Sequence, residues 1–461
     1  MVIILIIILL LISLYYYYQN KTNKDSYDVV IVGGGVAGLY MLWRLRQSDP
    51  NLKIMLIEQE KKLGGKIDSN CDNMDADKTL CLEYGAMRYF PSSQPYITKL
   101  LDILKIKSTE TEYLNPDSIA YLRGKRYKLG QLSSQTSYNL RPVEKGHDPS
   151  NYIAKVILEN KNIQTNINFW NLLRRNLSNE MVQLYQDLTA YDFTVDDISA
   201  QVGIAENLPL TTNRQYMING GMIKIIEKLA EPNNSFIKLQ TQVKSFKDGV
   251  IHIQSKNIAS EIKTDKIIFA LPQDNLLKIT GWNSDTKSLF DTVMPWRALK
   301  FFVYIRKPFW KGSGRNVTDL PIRQCWYYNK NVLMIYCDNI HVNFWINMLT
   351  LNNSNIIVDK QGWTDAIKVN RTLIQFLELQ IAEMHGLDSV TIEKVTWRLW
   401  TNGQFWWKPI DMQKVKSRLR NPMKNIYMSN SCWATKQGWV DGAIEDADEL
   451  LNKNFGLSKL I

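Results

Sequence analysis

The sequence contains few of the residues that build metal centres. Its five cysteines (Cys71, Cys81, Cys325, Cys337 and Cys432) form no C-x-x-C pair, and its four histidines are scattered. Protein zinc sites use cysteine and histidine at short, recurrent spacings. We therefore predict no metal site.

Cys71 and Cys81 flank a polar loop, and two states fit this pair. In an oxidising compartment the two thiols would form a disulfide, whereas in a reducing compartment both would stay reduced. The sequence leaves both alternatives open.

The chain also lacks basic tails, internal repeats and any basic-aromatic module of the RNA-binding kind. Its net charge of +11 is spread over 461 residues, and its apolar content of 45% and charged content of 22% are ordinary for a globular protein. We predict no nucleic-acid partner. A generally basic surface favours anionic substrates or lipid instead. The length predicts two or three lobes, each with its own core.

Residues 1–18 form an uncharged run of apolar residues that ends in four tyrosines. About 20 apolar residues cross a bilayer as a helix. The alternative, a cleaved signal peptide, lacks its basic start and its small-x-small cleavage site here. We expect a retained single-pass anchor. Lys21 and Lys24 on its C-terminal side favour a cytosolic body, an orientation that a disulfide or glycans would contradict.

Residues 27–58 read as a strand, a glycine turn, a helix, a second strand and an acid. Gly33, Gly35 and Gly38 satisfy G-x-G-x-x-G after a hydrophobic strand, and Glu58 follows the last glycine by 20 residues. The glycines allow a tight turn, close approach of backbone to a pyrophosphate, and close packing of helix on strand. The helix N-terminus attracts phosphate, and the acid accepts ribose hydroxyls. The unit predicts a dinucleotide site.

Further segments resemble the flavin-containing amine oxidase superfamily, and within it the L-amino acid oxidases. The resemblance covers nearly all of residues 27–451 and is weakest in a helical insertion. It is carried by the acid and glycine pair of residues 58–66, the loop of residues 83–88, the glycine pair at 220–222, the strand of residues 299–310, and the segments 403–409 and 437–443.

The resemblance implies an α/β fold, in which an FAD-binding Rossmann-type domain of the glutathione-reductase kind is interrupted by a mixed α+β substrate domain. The expected boundaries are an anchor at 1–18, a linker at 19–26, FAD-binding parts at 27–95, 215–285 and 401–461, a mainly helical insertion that belongs to the substrate domain at 96–214, and a substrate domain at 286–400. Within these, we expect strands at 299–305, 325–328, 332–336 and 342–345, and an amphipathic helix at 370–385.

The resemblance also implies roles for individual residues. Arg88 and Tyr336 would hold a substrate carboxylate, Lys300 would hold a water at the flavin N5 atom, and Trp439 with Trp406 would border the pocket. The implied FAD contacts are Gly33, Gly35, Val36, Ala37, Gly38, Glu58, Gln59, Gly65, Lys66, Gly85, Ala86, Met87, Arg88, Val243, Ser431, Gly438, Trp439 and Val440. No cysteine lies in residues 403–408, so we expect FAD to be bound non-covalently.

Simple chemistry supports some of these roles and leaves alternatives. A planar guanidinium binds a carboxylate through two parallel hydrogen bonds, which suits Arg88, although a structural arginine is the ordinary alternative. Lys300 interrupts an apolar strand, where a buried lysine is costly unless it is paired or functional. A lysine that reaches solvent from a strand edge is the alternative. Trp406 and Trp439 are pocket walls or core residues.

The chain departs from the family pattern at two places on the cofactor side. Lys66 stands where the family has an arginine, and Asn430-Ser431 stands where it has glycine-glutamate. The first change removes a planar fork, and the second removes a carboxylate near the ribityl and phosphate region.

We expect an FAD-dependent oxidase that uses dioxygen to deaminate an L-amino acid. The alternatives are a polyamine or monoamine oxidase, and a membrane-anchored FAD-fold protein without oxidase activity. The expected partners are the small-molecule amine or amino acid, dioxygen and a membrane, and a homodimer is one open alternative for the assembly.

Overall fold

The computed structural model describes residues 26–71, 81–112, 115–129, 132, 136–160, 167–191, 198–207, 214–350 and 359–461. The predicted anchor at 1–18 lies outside these residues. Within them, no helix is both long enough and apolar enough to cross a membrane.

Helices and strands alternate through much of the described chain. The helices are α1 (Val36–Ser48), α2 (Pro95–Ile103), α3 (Pro149–Glu159), α4 (Phe169–Asn176), α5 (Asn179–Thr189), α6 (Ala200–Asn207), α7 (Ile223–Ala230), α8 (Gln273–Leu276), α9 (Ser284–Phe290), α10 (Asn339–Thr350), α11 (Arg371–His385), α12 (Met412–Arg420) and α13 (Val440–Phe455), with 3₁₀ turns at Glu231–Phe236, Ala366–Lys368 and Ser431–Trp433. The strands are β1 (Ser26–Val32), β2 (Ile54–Ile57), β3 (Ser69–Asn70), β4 (Leu82–Glu83), β5 (Ser108–Glu112), β6 (Ile119–Leu122), β7 (Lys125–Lys128), β8 (Arg214–Ile218), β9 (Ile237–Lys238), β10 (Thr241–Lys247), β11 (Val250–Ser255), β12 (Ile258–Phe269), β13 (Val293–Tyr304), β14 (Gly314–Thr318), β15 (Gln324–Tyr327), β16 (Val332–Asp338), β17 (Asp359–Asp365), β18 (Lys394–Trp407) and β19 (Ile426–Met428).

The first sheet has a parallel centre. In the described chain its order is β10-β11-β12-β1-β2-β9, and β19 pairs with β12. Strand β1 pairs in parallel with both β12 and β2, whereas β10 and β11 form an antiparallel extension. Parallel strands covered on both faces are expected to be hydrophobic throughout, which fits β1. The mixed α/β architecture with a Rossmann-like part is thus confirmed.

Alternation along β1 divides the core of this lobe into two layers. Val29 and Ile31 pack with α1, α7 and α13 on one face. Val30 and Val32 pack on the other face, in a cluster that includes Phe269. This pattern follows from the two-residue period of a strand. The carboxyl end of β1 therefore delivers the glycine turn to an edge with helices on both sides.

The second sheet is largely antiparallel, with the order β17-β18-β13-β16-β15-β14-β6-β7 among the described residues. Strand β13 lies between β16 and β18 and shares long registers with both. Leu299, Phe301 and Val303 pack in a cluster with side chains of α10 and α11. Since neighbouring side chains alternate, Ala298 and Lys300 lie on the opposite face. Lys300 is thereby directed at the space between the two lobes.

The segment 96–214 is not purely helical. Helices α3 to α6 enclose a core around Phe169 and Leu173. However, β6 and β7 belong to the second sheet, because β6 pairs in parallel with β14, and β5 pairs with β8. Likewise, β18 runs unbroken across the expected boundary at residue 400. The exact domain boundaries stay a prediction.

One predicted strand is wrong. Residues 342–345 lie within helix α10, not in a strand. Val342 and Trp345 are both fully buried, and the Trp345 ring packs against Phe301 at 5.4 Å. A short, wholly apolar run fits a buried helix as well as a buried strand, and here the helix covers the second sheet. The predicted helix at 370–385 is observed as α11, with Asn370 as its N-cap.

Candidate active site

The three motif glycines differ in what surrounds them. A Cβ on Gly33, whose φ is +117°, would lie 2.6 Å from the Ala270 carbonyl oxygen, and one on Gly38 would lie 2.0 Å from the Gly33 oxygen. A Cβ on Gly35 would meet only the Gly64 oxygen, at 3.9 Å. Gly33 and Gly38 are therefore required by the turn and by helix packing, whereas Gly35 faces open space.

The open space in front of Gly35 lies at the N-terminus of α1. The first turn of a helix presents N–H groups that have no partner within the helix, and it carries a partial positive charge. Glu58 lies beside it at the end of β2, where its Oε2 accepts from the Gly34 N–H at 2.6 Å and its Oε1 accepts from the Glu60 N–H at 2.9 Å. Burial raises the pKa of Glu58 above its ordinary value. This end of the site offers donors for phosphate and an acid for hydroxyls.

A cavity of about 1310 Å³ begins at the glycine turn and ends between the second sheet and the helices of residues 149–189. Its wall contains every predicted site residue except Gly38, which supports the turn from behind. The predicted residues in the wall are Gly33, Gly35, Val36, Ala37, Glu58, Gln59, Gly65, Lys66, Gly85, Ala86, Met87, Arg88, Val243, Lys300, Tyr336, Trp406, Ser431, Gly438, Trp439 and Val440. Segments far apart in the sequence thus share one elongated space.

The two departures are accommodated without blocking this cavity. The Lys66 ammonium lies 4.6 Å from the centre of the Phe405 ring, and burial lowers its pKa. Asn430 has an extended backbone, its N–H donates to Asp446 at 3.2 Å, and its side chain accepts from the Cys432 N–H at 2.8 Å. No left-handed conformation is imposed on Asn430, so the position does not require glycine. The open glycine cradle, the helix N-terminus and Glu58 fit FAD.

Tyr336, Lys300 and Arg398 form a cross-strand row on the face of the second sheet that borders the cavity. Lys300 is directly opposite Tyr336 on β16 and Arg398 on β18. The Lys300 ammonium donates to the carbonyl oxygens of Glu83 at 2.9 Å and Gly85 at 2.6 Å. An ammonium has three N–H donors, so this geometry leaves one for a water.

The electrostatics of this row follow from burial. Burial lowers the pKa of Lys300 to about 7, against the opposing charge of Glu83, and the Arg88 charge lowers it further. Burial also raises the pKa of Tyr336 well above its usual value. The phenol therefore stays neutral and can donate a hydrogen bond near pH 7.

Arg88 lies in the same wall, on the loop after β4. Its guanidinium carbon is 4.7 Å from the centre of the Trp326 ring, which supports the plane from one side. Its charge acts on both Lys300 and Tyr336. The three residues proposed for the substrate side are therefore brought together.

The two predicted tryptophans both lie in the wall. Trp439 precedes α13, and its ring meets Phe90 edge-on at 5.7 Å. Trp406 is 7% exposed and meets the Trp296 ring at 6.3 Å. Trp406 is a core tryptophan that also borders the cavity, whereas Trp439 is partly buried and belongs to the wall alone.

Several residues of the wall were not predicted from the sequence. Arg315 on β14 is 4% exposed, and it donates to the Gln324 side chain at 3.0 Å and to carbonyl oxygens at the end of α5. Tyr191 packs edge-on against Tyr336 at 5.8 Å. Asp274 accepts from Asn402 at 2.9 Å. No strand is predicted around Arg315 from the sequence, and only the fold brings these residues to the site.

Cys71 and Cys81 form a disulfide, which is one of the two alternatives that the sequence left open. It lies next to the predicted glycine pair, because Cys71 contacts the Gly220 carbonyl oxygen at 3.5 Å and a Cβ on Gly221 would lie 3.1 Å from Cys81.

Comparison with known proteins agrees with this architecture. Residues 31–104 match a family described as an NAD(P)-binding Rossmann-like domain. An uncharacterised protein, R188 of Acanthamoeba polyphaga mimivirus, is 27% identical over 94% of this chain and 95% of its own length. Aplysianin-A of Aplysia kurodai is 21% identical over 94% and 90%, and achacin of Lissachatina fulica is 30% identical over 26% and 23%.

Solved structures with the same fold include putrescine oxidase variants redesigned for cofactor binding. One of them has a TM-score of 0.70 at 16% identity and covers 94% of this chain and 99% of its own. The matched Rossmann-like domain and the glycine-lined cavity indicate a dinucleotide-binding protein whose residues fit FAD as the cofactor. The chain shares its fold with these putrescine oxidase variants.

Proposed function

We propose that this protein is an oxidase that deaminates an L-amino acid to a keto acid, ammonium and hydrogen peroxide. Bound FAD would supply the redox chemistry by accepting the hydride from the α-carbon and passing the electrons to dioxygen. The observation that carries the proposal is the convergence of Arg88, Tyr336 and Lys300 on one wall of the cavity that begins at the glycine turn.

Arg88 and Tyr336 would bind the substrate carboxylate. The guanidinium offers two parallel donors, and the aromatic face of Trp326 orients its plane. The neutral phenol of Tyr336 supplies a further donor. A carboxylate held at two groups leaves the α-carbon little freedom, which provides the alignment that a hydride transfer requires.

Lys300 would hold a water beside the reacting atoms. Two of its donors are directed to the carbonyl oxygens of Glu83 and Gly85, so the ammonium is fixed in direction. Water is the second reactant of imine hydrolysis, and a fixed donor would position it. Trp406 and Trp439 would border the amine and restrict the access of further water.

The cations beside Tyr336 support an amino acid over a polyamine. The Arg88 charge acts on both Lys300 and Tyr336, whereas other parts of the cavity wall contain acids such as Glu58, Asp148 and Asp274. The carboxylate of Asp68 is already paired with Lys62 at 2.7 Å and with Arg398 at 2.8 Å. A doubly cationic amine would meet like charges here, whereas an amino acid brings a carboxylate. Polyamine or monoamine oxidation, and an FAD-fold protein without oxidase activity, remain the competing hypotheses.

We propose that FAD is held without a covalent bond. The nearest cysteine in sequence to the two C-terminal motifs, Cys432, is fully buried and outside the cavity wall. Burial raises the pKa of its thiol to about 11, which disfavours the reactive thiolate.

The membrane anchor at 1–18 is part of the proposal. The disulfide supports an oxidising compartment for the body of the protein and counts against the cytosolic orientation. Digestion of intact cells that express the full chain with an added protease distinguishes the two orientations, because only a body outside the cytosol is exposed to the protease.

A substrate screen tests the function. The full chain, purified in detergent, should be yellow, and its flavin absorbance should bleach under anaerobic conditions when the correct L-amino acid is added. Bleaching with neutral amines or polyamines only would favour the second hypothesis. A protein that is colourless, or yellow but unreactive with every amino acid and amine, would favour the third.

A further inference from the structure

Gln324 is a fully buried glutamine at the start of β15, and its side-chain amide joins three separate segments. Its Oε1 accepts from the Arg315 Nε–H at 3.0 Å and from the Trp326 indole N–H at 3.2 Å, and its Nε2 donates to the Ala190 carbonyl oxygen at 3.1 Å. These partners lie on β14, on β15 itself and at the end of α5. Gln324 is outside the cavity wall, so it would act on a bound molecule only through its neighbours.

The amide of Gln324 fits its surroundings in one orientation only. Its oxygen faces two N–H donors, and its nitrogen faces a carbonyl oxygen. Exchanging the two atoms would direct the NH₂ group at N–H donors and the amide oxygen at another oxygen, so the network itself identifies them. A buried network of this kind is rigid, because breaking one bond leaves a polar group without a partner. Gln324 therefore fixes the directions of its three neighbours.

The Trp326 ring is the neighbour that lies beside Arg88. The ring is buried, and its centre is 4.7 Å from the Arg88 guanidinium carbon. An indole has a single N–H donor, and here that donor is bonded to Gln324. Rotation of the ring away from Arg88 would break this bond and leave the N–H buried without an acceptor, which is unfavourable. The aromatic face that orients Arg88 thus depends on Gln324.

The end of α5 is the neighbour that leads to Tyr336. The last carbonyl oxygens of a helix have no partner within it. In α5, the carbonyl oxygens of the last two helical residues accept from Arg315, and that of Ala190, the C-cap, accepts from Gln324. The next residue, Tyr191, packs edge-on against Tyr336, with 5.8 Å between the ring centres. Arg315 and Gln324 therefore hold the helix end that places Tyr191 on Tyr336.

Gln324 also supports Tyr336 directly. The two residues are opposite each other in the antiparallel pair of β15 and β16. Opposite residues on neighbouring strands share one face of the sheet, with Cβ atoms about 4.5–5.5 Å apart. Trp326, two residues further along β15, shares that face as well. The two residues proposed to bind the substrate carboxylate, Arg88 and Tyr336, are thus connected through one glutamine.

We propose that Gln324 is a positioning residue that fixes Arg88 and Tyr336 relative to each other. It acts through Trp326 on one side and through the end of α5 on the other. A carboxylate bound by both groups requires a constant spacing between them. This consequence for catalysis rests on the proposed oxidase function. The placement of Arg88 by Gln324 does not, and it can be tested without turnover.

Substitution Gln324→Met keeps the length of the side chain and removes its amide. The Trp326 ring should then turn more freely and uncover the face of the Arg88 guanidinium that it now covers. The measurement is the rate constant at which phenylglyoxal modifies Arg88 in the full chain, read by peptide mass spectrometry. We expect this rate constant to rise about fivefold, the factor that corresponds to the loss of one ordinary hydrogen bond.

A second measurement concerns turnover. With a protein that oxidises amino acids, Gln324→Met should raise KM for the amino acid. It should leave KM for the matching amine without a carboxylate nearly unchanged, because that amine bonds to neither Arg88 nor Tyr336. A merely structural role of Gln324 would affect the two substrates alike.

Gln380 provides a matched control. It is also a buried glutamine, 5% exposed, and its Oε1 accepts from the Ile322 N–H at 3.1 Å. It lies on α11, outside the cavity wall. Gln380→Met therefore removes a buried amide of the same kind and should leave the rate constant at Arg88 unchanged.

Trp326→Phe guards against misfolding of Gln324→Met, because it removes the same hydrogen bond from the donor side and keeps an aromatic ring. It should also raise the rate constant at Arg88. If neither variant raises it, or if Gln380→Met raises it equally, the inference is overturned. A raised rate constant in a chain that oxidises no amino acid would retain the inference and refute the proposed function. Oxidation of amino acids with an unchanged rate constant at Arg88 would refute the inference and retain the proposed function.

Discussion

Replacing Arg88 by alanine should separate amino acids from simple amines as substrates. In the proposed site the guanidinium forms two charge-assisted hydrogen bonds with the substrate carboxylate, in addition to its contact with Trp326. An amine without a carboxylate makes no such bonds. The loss of activity in Arg88→Ala should therefore be larger for an amino acid than for an amine without a carboxylate.

The magnitude follows from the geometry. Hydrogen bonds to charged groups contribute about 1.5–3 kcal/mol each, so two account for about 3–6 kcal/mol. At about 1.4 kcal/mol for each factor of ten, this is on the order of 10² to 10⁴-fold in kcat/KM. Arg88 is half-buried, so solvent screening favours the lower end of that range. Arg88→Lys should recover part of the loss, since it restores the charge but not the fork.

The assay is peroxide production by the full chain with a preferred amino acid and with the matching amine that lacks the carboxylate. Arg174→Ala is the matched control, because Arg174 also stacks on a tryptophan, with its guanidinium carbon 4.3 Å from the centre of the Trp170 ring, but lies outside the cavity wall. Equal losses for the amino acid and the amine in Arg88→Ala would refute the carboxylate clamp.

Three further predictions concern the cofactor and the stability of the fold. Gly38→Ala should destabilise the protein, because its Cβ would lie 2.0 Å from the Gly33 oxygen. Gly35→Ala should leave the thermal unfolding of the flavin-free chain nearly unchanged and should weaken FAD binding. Similar thermal unfolding of the two variants would contradict this prediction. Lys66→Arg should slow the release of FAD, measured by flavin fluorescence, because it adds a planar fork; faster release would oppose the expected role. Burial lowers the pKa of His385 from 6.5 to about 4, so its contribution to stability is complete above pH 6.5 and is lost as the pH falls to about 4, at most about 3 kcal/mol. As the pH falls from 6.5 to about 4, the denaturant midpoint of unfolding should therefore fall less in His385→Gln than in the unsubstituted protein. Identical pH profiles of the two midpoints would exclude His385 as a cause of the loss of stability in acid.

The nucleotide end could be predicted because its signals are local. The glycine turn, the helix that follows it and Glu58 fall within about 30 residues, and each glycine has a steric reason that the sequence spacing already implies. The structure agrees with that local logic at Gly33, Gly35 and Gly38.

The substrate side of the site could be predicted only in part, because its residues are identified by the family resemblance and are brought together by long-range strand pairing. Lys300 could be singled out as a charge in an apolar strand, but its place opposite Tyr336 and Arg398 is set by the register of three strands. Arg315 and Tyr191 could not be assigned to the site, because β14 and the end of α5 meet only in the folded chain. The same reason explains the missed strands β6 and β7 in the segment 96–214.

The error at 342–345 shows where pattern reading fails. Val342 and Trp345 are apolar, close together and fully buried, and such a run has no polar period to distinguish helix from strand. Their helical state is favoured by packing against Phe301 on the second sheet, which is a tertiary effect.

The most direct test of the account is an experimental structure of the full chain with FAD and a simple carboxylate that has no amine to oxidise. The account predicts that the dinucleotide lies along the glycine turn with Glu58 at its ribose, and that the carboxylate is bound by the forked guanidinium of Arg88 within reach of Tyr336. A cofactor bound elsewhere, or a carboxylate that leaves Arg88 uncontacted, would contradict it.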